Sequence, residues 1–193
     1  KFDKIYVFSP SLGTSKDDRL KSVSAEQKYM ELTEANLQHV YDEIEGSGER
    51  ILLLCDDVVN DVKKNIGVDK LLCKMMMNRR HICGCDNDGE GCGLSMWMTT
   101  QVFNKMPRAL RATADFHILF KSTNKKELET IYDEIILLPK ELWEETQRYV
   151  FDDKHNFMLI DTNENYNNMY HKNLNKRLVF KDLDDDAVLQ KYS

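Results

Sequence analysis

The segment from Arg50 to Asp57 constrains the fold of this chain more than any other stretch. It reads Arg-Ile-Leu-Leu-Leu-Cys-Asp-Asp. A run that is apolar at every position predicts a strand buried on both faces, as in the central parallel sheet of an α/β protein. The two carboxylates then follow at the carboxyl end of this strand. Ligands bind at that edge of an open α/β sheet.

Asp56 and Asp57 are therefore candidate catalytic residues. A nucleoside triphosphate needs one carboxylate to hold its Mg²⁺ and a second to polarise the attacking water. An aliphatic strand that ends in two acids has the pattern of a Walker B element, with Asp56 on the metal and Asp57 on the water. The alternative is a structural strand followed by an Asp-Asp helix cap.

The sequence contains no Gly-x-x-x-x-Gly-Lys-[Ser/Thr] motif, whose backbone cradles the phosphates in P-loop proteins. It opens at Lys1, without a Met, and enters a predicted strand over 4–8 almost at once. We expect from these two features that the chain is a piece of a longer protein.

Composition limits the classes of partner. With 33 acidic and 27 basic side chains the net charge is −6, so contact with DNA must come from a local basic surface. Positive charge clusters at 70–80, 105–111 and 121–126, although a solvated helical face is the alternative for each. No apolar stretch approaches a membrane span, and no secretory signal is visible. The odd number of cysteines, five, favours a reducing compartment over a disulfide framework.

Helices and strands alternate along the chain without internal repeats. The capping-box spacing of Ser24 and Gln27 predicts a helix over 24–45. Apolar periodicity predicts a second helix over 69–80 and strands that include a buried one over 116–120. We predict one domain over 1–181, an insertion at 81–93, and an acidic tail at 182–193.

Gln101 is the next chemical candidate. It ends the strand that follows the paired acids, at the same predicted edge of the sheet. An amide both donates and accepts hydrogen bonds, so it suits a sensor that contacts the γ-phosphate or the attacking water. A terminal Gln carries little information by itself and becomes specific only together with the segments around it.

These segments together resemble the genome-packaging ATPases of poxviruses and other large DNA viruses, members of the FtsK-HerA superfamily of DNA-pumping motors. The likeness covers residues 1–136 and is most specific from the paired acids to Lys121. It is carried by the acids and by four short sequences: Asn78-Arg79-Arg80-His81, Thr99-Thr100-Gln101, Lys105-Met106-Pro107 and His117-Ile118-Leu119-Phe120-Lys121.

The resemblance implies an α/β fold, namely a three-layer RecA-like P-loop ATPase core with a mostly parallel central sheet and its N-terminal P-loop strand missing. It implies an ATPase that uses ATP and Mg²⁺ to translocate DNA and package a viral genome into the capsid, while this fragment alone is inactive. The implied partners are double-stranded DNA, further copies in a homo-oligomeric ring, and capsid or membrane-vertex proteins. The implied location is the virus factory in the host cytoplasm, or the virion.

The resemblance also assigns roles to basic residues. Arg79 or Arg80 matches the position from which motors of this superfamily insert an arginine finger into a neighbour's site, and Arg111 is the runner-up. The fixed fork of a guanidinium neutralises charge spread over phosphate oxygens. Lys105 and Arg108 are candidate DNA contacts that grip phosphates rather than read bases. For each arginine, a helix-end or surface ion pair is the alternative.

The insertion departs from the pattern of the resembled family. It places four zinc-type ligands within twelve positions, namely His81, Cys83, Cys85 and Cys92. Their spacing is not that of paired Cys-x-x-Cys knuckles, so a structural Zn²⁺ site competes with a reduced loop that holds no metal.

Two other functional classes stay open. Another P-loop DNA motor, of the helicase or conjugation type, would share these residues, and DNA-stimulated turnover without strand separation would favour a pump instead. A non-catalytic binding or assembly module would account for the absent phosphate-binding motif. Such a module need not retain Asp56, Asp57, Gln101 and the arginines together.

Overall fold

The computed structural model describes residues 1–12, 20–84 and 91–180. They belong to two compact units, Lys1–Thr113 and Ala114–Ser193, each of which is described by itself. The domain bounds of 1–181 stay a prediction. The predicted acidic tail at 182–193 lies outside the described residues.

The first unit is built on a parallel sheet. Its strands are β1 (Lys4–Phe8), β2 (Lys28–Tyr29), β3 (Arg50–Asp56) and β4 (Gly93–Thr99), in the order β2-β1-β3-β4. Ile51, Leu52 and Leu53 are buried, as the continuous apolar run predicts for a central strand. The predicted α/β fold with a parallel central sheet, of the RecA-like type, is confirmed.

In the part of this unit that the structure describes, four helices accompany the sheet. They are α1 (Glu34–Ile44), α2 (Val59–Lys64), α3 (Ile66–Met77) and α4 (Arg108–Ala112). Each buries the apolar side of its surface in one core cluster with the inward residues of the strands. The predicted buried stripe of α1 is confirmed, and it consists of Leu37, Val40, Tyr41 and Ile44.

The start of α1 differs from the prediction. The helix begins at Glu34 after Thr33, whose hydroxyl accepts a hydrogen bond from the amide of Asn36 at 3.1 Å. Ser24 instead precedes a 3₁₀ turn over Ala25–Gln27 and makes no capping bond through its side chain. The predicted helix over 24–33 is wrong because residues 28 and 29 pair with β1, and the sheet takes their backbone groups.

The second unit contains an antiparallel sheet. Its strands are β5 (Phe116–Phe120), β6 (Phe157–Asp161), β7 (Tyr170–Lys172) and β8 (Lys176–Arg177), paired in chain order, and its helices are α5 (Lys125–Glu134) and α6 (Lys140–Val150). The prediction that 116–120 is buried is wrong. Phe116, Ile118 and Phe120 are 56%, 52% and 63% exposed, while Leu119 on the opposite face is buried. The strand therefore alternates between two unlike environments.

Within the described ranges, no helix combines the length and the apolar character that crossing a bilayer requires.

The two candidate caps of the α1 region can be compared directly. We expect Thr33→Ala to lower the free energy of unfolding by about 1 kcal/mol because it removes an N-cap acceptor. Ser24→Ala should change it by no more than a few tenths of a kcal/mol. Chemical denaturation followed by circular dichroism measures both. A larger loss in Ser24→Ala than in Thr33→Ala would contradict the observed helix start.

Candidate active site

The carboxyl ends of three neighbouring strands bring polar side chains together. In the parallel ladders, Phe8 of β1 lies opposite Cys55 of β3, and Asp56 lies opposite Thr99 of β4. Ser9 directly follows β1, so it reaches the same edge. Because β3 lies between β1 and β4, Asp56 is flanked by a hydroxyl on each side.

Both oxygens of the Asp56 carboxylate are held by hydroxyl groups. Ser9 Oγ donates to Asp56 Oδ2 at 2.9 Å, and Thr99 Oγ1 donates to Asp56 Oδ1 at 2.6 Å. Ser9 is only 3% exposed, and its amide donates to the carbonyl of Tyr29 at 3.0 Å. Hydrogen bonds to a charged acceptor are short and strong, so they fix the direction in which Asp56 points.

Asp57 has an uncommon backbone conformation. Its φ is 53°, in the left-handed region that residues other than glycine seldom adopt. Its amide donates to the carbonyl of Thr99 at 3.2 Å and lies 3.3 Å from Thr99 Oγ1. These contacts tie the residue that follows β3 to the end of β4. A strained residue that packing and hydrogen bonds hold in place is a feature of functional sites.

Gln101 joins the cluster through Asp57. Its side-chain Nε2 donates to Asp57 Oδ2 at 3.0 Å. Two of the residues predicted from the sequence to cooperate, Asp57 and Gln101, are therefore in direct contact, although 44 positions separate them. The amide oxygen of Gln101 and Oδ1 of Asp57 take no part in this bond, and each can accept a hydrogen bond from a bound water.

The donor set at this edge fits a hard divalent cation. It consists of carboxylate, hydroxyl and amide oxygens, which Mg²⁺ prefers to nitrogen or sulfur. In the part of the chain that the structure describes, no group of three or more His, Cys, Asp or Glu side chains could enclose a metal. Mg²⁺ does not need such a group, because it is usually bound through one or two carboxylates together with substrate phosphates and water.

Cys55 precedes the acids but takes no part in the polar cluster. It is fully buried, and burial raises the pKa of its thiol to about 12. The residue is therefore a neutral core side chain and not a nucleophile.

Arg79 and Arg80 lie away from the acids of their own chain. The carbonyl of Arg79 accepts a hydrogen bond from the amide of Leu94, so Arg79 lies beside the start of β4. Thr99, which bonds to Asp56, lies at the other end of the same strand. Five residues of β4, or about 17 Å at the usual rise, separate the two points. The guanidinium of Arg79 also donates to the carbonyl of Met76 at 3.1 Å, and Arg80 is exposed.

The other basic candidates follow Gln101. Arg111 donates to the carbonyls of Phe103 and Met106, at 3.3 and 2.6 Å, and its guanidinium lies 5.1 Å from the centre of the Phe103 ring. It therefore closes the turn that leads into α4. Lys105 and Arg108 are exposed on the same segment.

The structure does not support the zinc prediction. Cys85 lies outside the described residues, and His81, Cys83 and Cys92 form no metal-binding group within them. Cys92 is disulfide-bonded, so its sulfur cannot serve as a thiolate ligand, and the expectation that the cysteines are reduced is wrong for this residue. Burial raises the pKa of the Cys83 thiol, which disfavours the thiolate that zinc requires.

Sequence reasoning missed Ser9 and Thr99. Each is a hydroxyl residue at the end of a predicted strand, and this position is the feature of the sequence that could have identified it. Their contact with Asp56 depends on strand order and register, which local sequence does not reveal.

No protein family model matches the chain, and no curated protein matches it. A solved structure that is similar is that of the genome packaging NTPase B204 from Sulfolobus turreted icosahedral virus 2, in complex with sulfate. The identity is 16%, the alignment covers 83% of this chain and 76% of the other, and the TM-score is 0.51. The chain therefore shares its fold with a viral genome packaging NTPase.

The strain of the Asp57 backbone can be tested through the free energy of unfolding. Asp57→Gly and Asp57→Ala both remove the carboxylate, but only glycine adopts a positive φ without strain. We expect the glycine variant to be about 1 kcal/mol more stable to unfolding than the alanine variant. The same pair at Lys70, inside α3, should give the opposite order by about 1 kcal/mol. Equal stability of the two Asp57 variants in denaturant titrations would exclude backbone strain at this position.

Proposed function

We propose that this chain carries the catalytic acids of an ATP-driven DNA translocase that packages a viral genome into its capsid. The observation that carries the proposal is the cluster of Asp56, Asp57 and Gln101, with hydroxyl support, at the carboxyl ends of parallel strands. This cluster occurs in a chain with the fold of a viral genome packaging NTPase. The finer assignment, to a poxvirus-type motor of the FtsK-HerA superfamily, is part of the proposal.

In this proposal Asp56 holds Mg²⁺ and Asp57 activates water. Asp56 would hold the Mg²⁺, which would supply positive charge to offset the charge that develops on the phosphate. Ser9 and Thr99 keep the Asp56 carboxylate aimed at one point, which is the purpose of a supporting hydrogen-bond shell. Asp57 accepts a proton from the attacking water, and Gln101 orients that water while it remains in contact with Asp57.

The β- and γ-phosphates also require a cradle of backbone amides. Residues 1–193 contain no Gly-x-x-x-x-Gly-Lys-[Ser/Thr] sequence, so the proposal assigns this task to a phosphate-binding loop outside them. Activity is therefore to be tested in the natural full-length protein.

A ring of identical subunits completes the proposed site. Arg79 and Arg80 lie at the opposite end of β4 from the acids, which is too far to reach the phosphates of the same subunit. A finger supplied to a neighbour's site suits this position and is worth several orders of magnitude in rate in related chemistry. The proposed partners are double-stranded DNA and capsid or membrane-vertex proteins, in the virus factory or the virion.

Asp57→Asn tests the proposed general base. We expect this variant of the full-length protein to lose ATP hydrolysis on the order of 100-fold or more because an amide cannot accept the proton. ATP affinity, measured with a fluorescent analogue, should stay close to that of the wild type. Asp133→Asn, at an exposed position of α5, is the matched control and should hydrolyse ATP normally. Unchanged turnover in Asp57→Asn would remove the residue from catalysis.

Mixing of subunits tests the finger. Arg80→Ala supplies an intact Asp57, and Asp57→Asn supplies an intact Arg80, so mixed rings should regain hydrolysis at interfaces that combine one of each. Steady-state turnover across a series of mixing ratios should pass through a maximum. Turnover that stays at the level of the two inactive variants at every mixing ratio would exclude Arg80 as a finger acting between subunits and would favour Arg79 or Arg111.

A further inference from the structure

A basic pocket lies on the surface of the first unit, and neither Asp56 nor Asp57 lines it. It has a volume of about 340 Å³ and opens between the α2–α3 corner and the segment that leads into α4. Its lining residues are Val62, Lys63, Ile66, Asp69, Asn104, Lys105, Met106, Pro107, Arg108 and Arg111. We call it the α2–α4 pocket.

Four cations line the α2–α4 pocket against a single carboxylate. Lys63, Lys105 and Arg108 are exposed, and within the described ranges none of their side chains forms an ion pair or a hydrogen bond. The single carboxylate is that of Asp69, whose Oδ1 accepts a hydrogen bond from the thiol of Cys73 at 3.5 Å. This local excess of positive charge contrasts with the net charge of −6 for the whole chain. A concave site with unpaired cations attracts anions.

The shape of the pocket favours phosphate over base or nucleoside. Its floor includes Val62 and Met106, both buried in the core, and none of the described aromatic side chains lines it. Without an aromatic platform there is no surface on which a base could stack. Basic side chains around a shallow apolar floor contact the sugar-phosphate backbone, which carries no sequence information.

The wall that carries Lys105 and Arg108 is held in shape from within. Arg111 bonds to the carbonyls of Phe103 and Met106 and covers the Phe103 ring, so it ties the 3₁₀ turn over Phe103–Lys105 to the start of α4. This preorganisation lowers the entropy that the wall loses when a ligand binds.

Each wall of the pocket belongs to a chain segment that follows one of the strands β3 and β4. Lys63 lies on α2, which begins two residues after Asp57, and Lys105 lies four residues after Gln101. Asp57 and Gln101 are hydrogen-bonded to each other at 3.0 Å. A ligand that spans Lys63 and Lys105 therefore spans the chain segments that leave the candidate active site.

We propose that the α2–α4 pocket binds backbone phosphates of duplex DNA through Lys63, Lys105 and Arg108. The inference rests on the proposed function and adds to it a pocket as the location of the DNA and Lys63 as a further contact beside Lys105 and Arg108. Lys63 lies in the segment that follows β3, and Lys105 lies in the segment that follows β4. The proposed DNA contact therefore involves the same two segments as the Asp57–Gln101 pair.

The test measures the affinity of the natural full-length protein for a fluorescein-labelled duplex by anisotropy across a salt series. We expect a triple variant, Lys63→Gln with Lys105→Gln and Arg108→Gln, to bind roughly tenfold or more weakly at low salt. The slope of log K against log salt concentration should fall by about 1 for each cation removed. Duplexes of unrelated sequence should give the same affinities.

A second triple variant controls for net charge. Lys70→Gln with Lys125→Gln and Lys126→Gln changes the charge equally at exposed lysines that do not line the pocket. It should keep the affinity and the salt slope of the wild type, and circular dichroism should show that both triple variants are folded. An equal loss in the control variant would overturn the pocket as the DNA site, as would wild-type affinity in the pocket variant.

Two further outcomes separate this inference from the proposed function. Binding of duplex DNA by the wild type and the pocket variant alike would overturn the pocket and leave the translocase proposal standing. If the wild type bound no duplex at all, both would fail. The nucleotide is a second source of phosphate, so a fluorescent ATP analogue is titrated in parallel. Loss of ATP binding without loss of DNA binding in the pocket variant would overturn DNA as the ligand.

Discussion

The position of β3 between β1 and β4 determines where every polar group of the candidate site lies. Ile51, Leu52 and Leu53 of this strand are buried, and each contributes about 1.5–3 kcal/mol because its apolar surface is removed from water. The strand pairs on both sides in a single register, and a slip of one residue would turn every side chain, Asp56 included, to the opposite face. Asp56 therefore emerges between Ser9 and Thr99, and both of its oxygens are occupied by hydroxyl donors.

The part of the site that could be predicted from the sequence depends on this strand. Asp56, Asp57 and Gln101 follow predicted parallel strands, and the carboxyl ends of parallel strands meet at one edge, so their proximity could be inferred without coordinates. The support from Ser9 and Thr99 could not, because a hydroxyl at a strand end is common and only the ladder partners identify these two. The catalytic roles themselves remain predictions.

Two elements of the fold show where local sequence falls short. Ser24 and Gln27 have capping-box spacing, but residues 28 and 29 pair with β1, and pairing between distant segments outweighs a local cap. In β5, the run Phe-His-Ile-Leu-Phe is as apolar as a strand buried on both faces, yet one of its faces is exposed. An apolar sequence favours a strand, while the burial of each face of that strand depends on which other parts of the chain pack against it.

The exposed face of β5 also affects how the molecule behaves in solution. Phe116, Ile118 and Phe120 stand on a strand at the end of the order β5-β6-β7-β8, and the strand bears no Lys, Glu or Pro of the kind that blunts an edge. An uncharged apolar edge of high β-propensity is a template for pairing with another chain. This strand is therefore a place at which copies of the isolated chain can associate, and a charged side chain introduced on its exposed face would oppose that association.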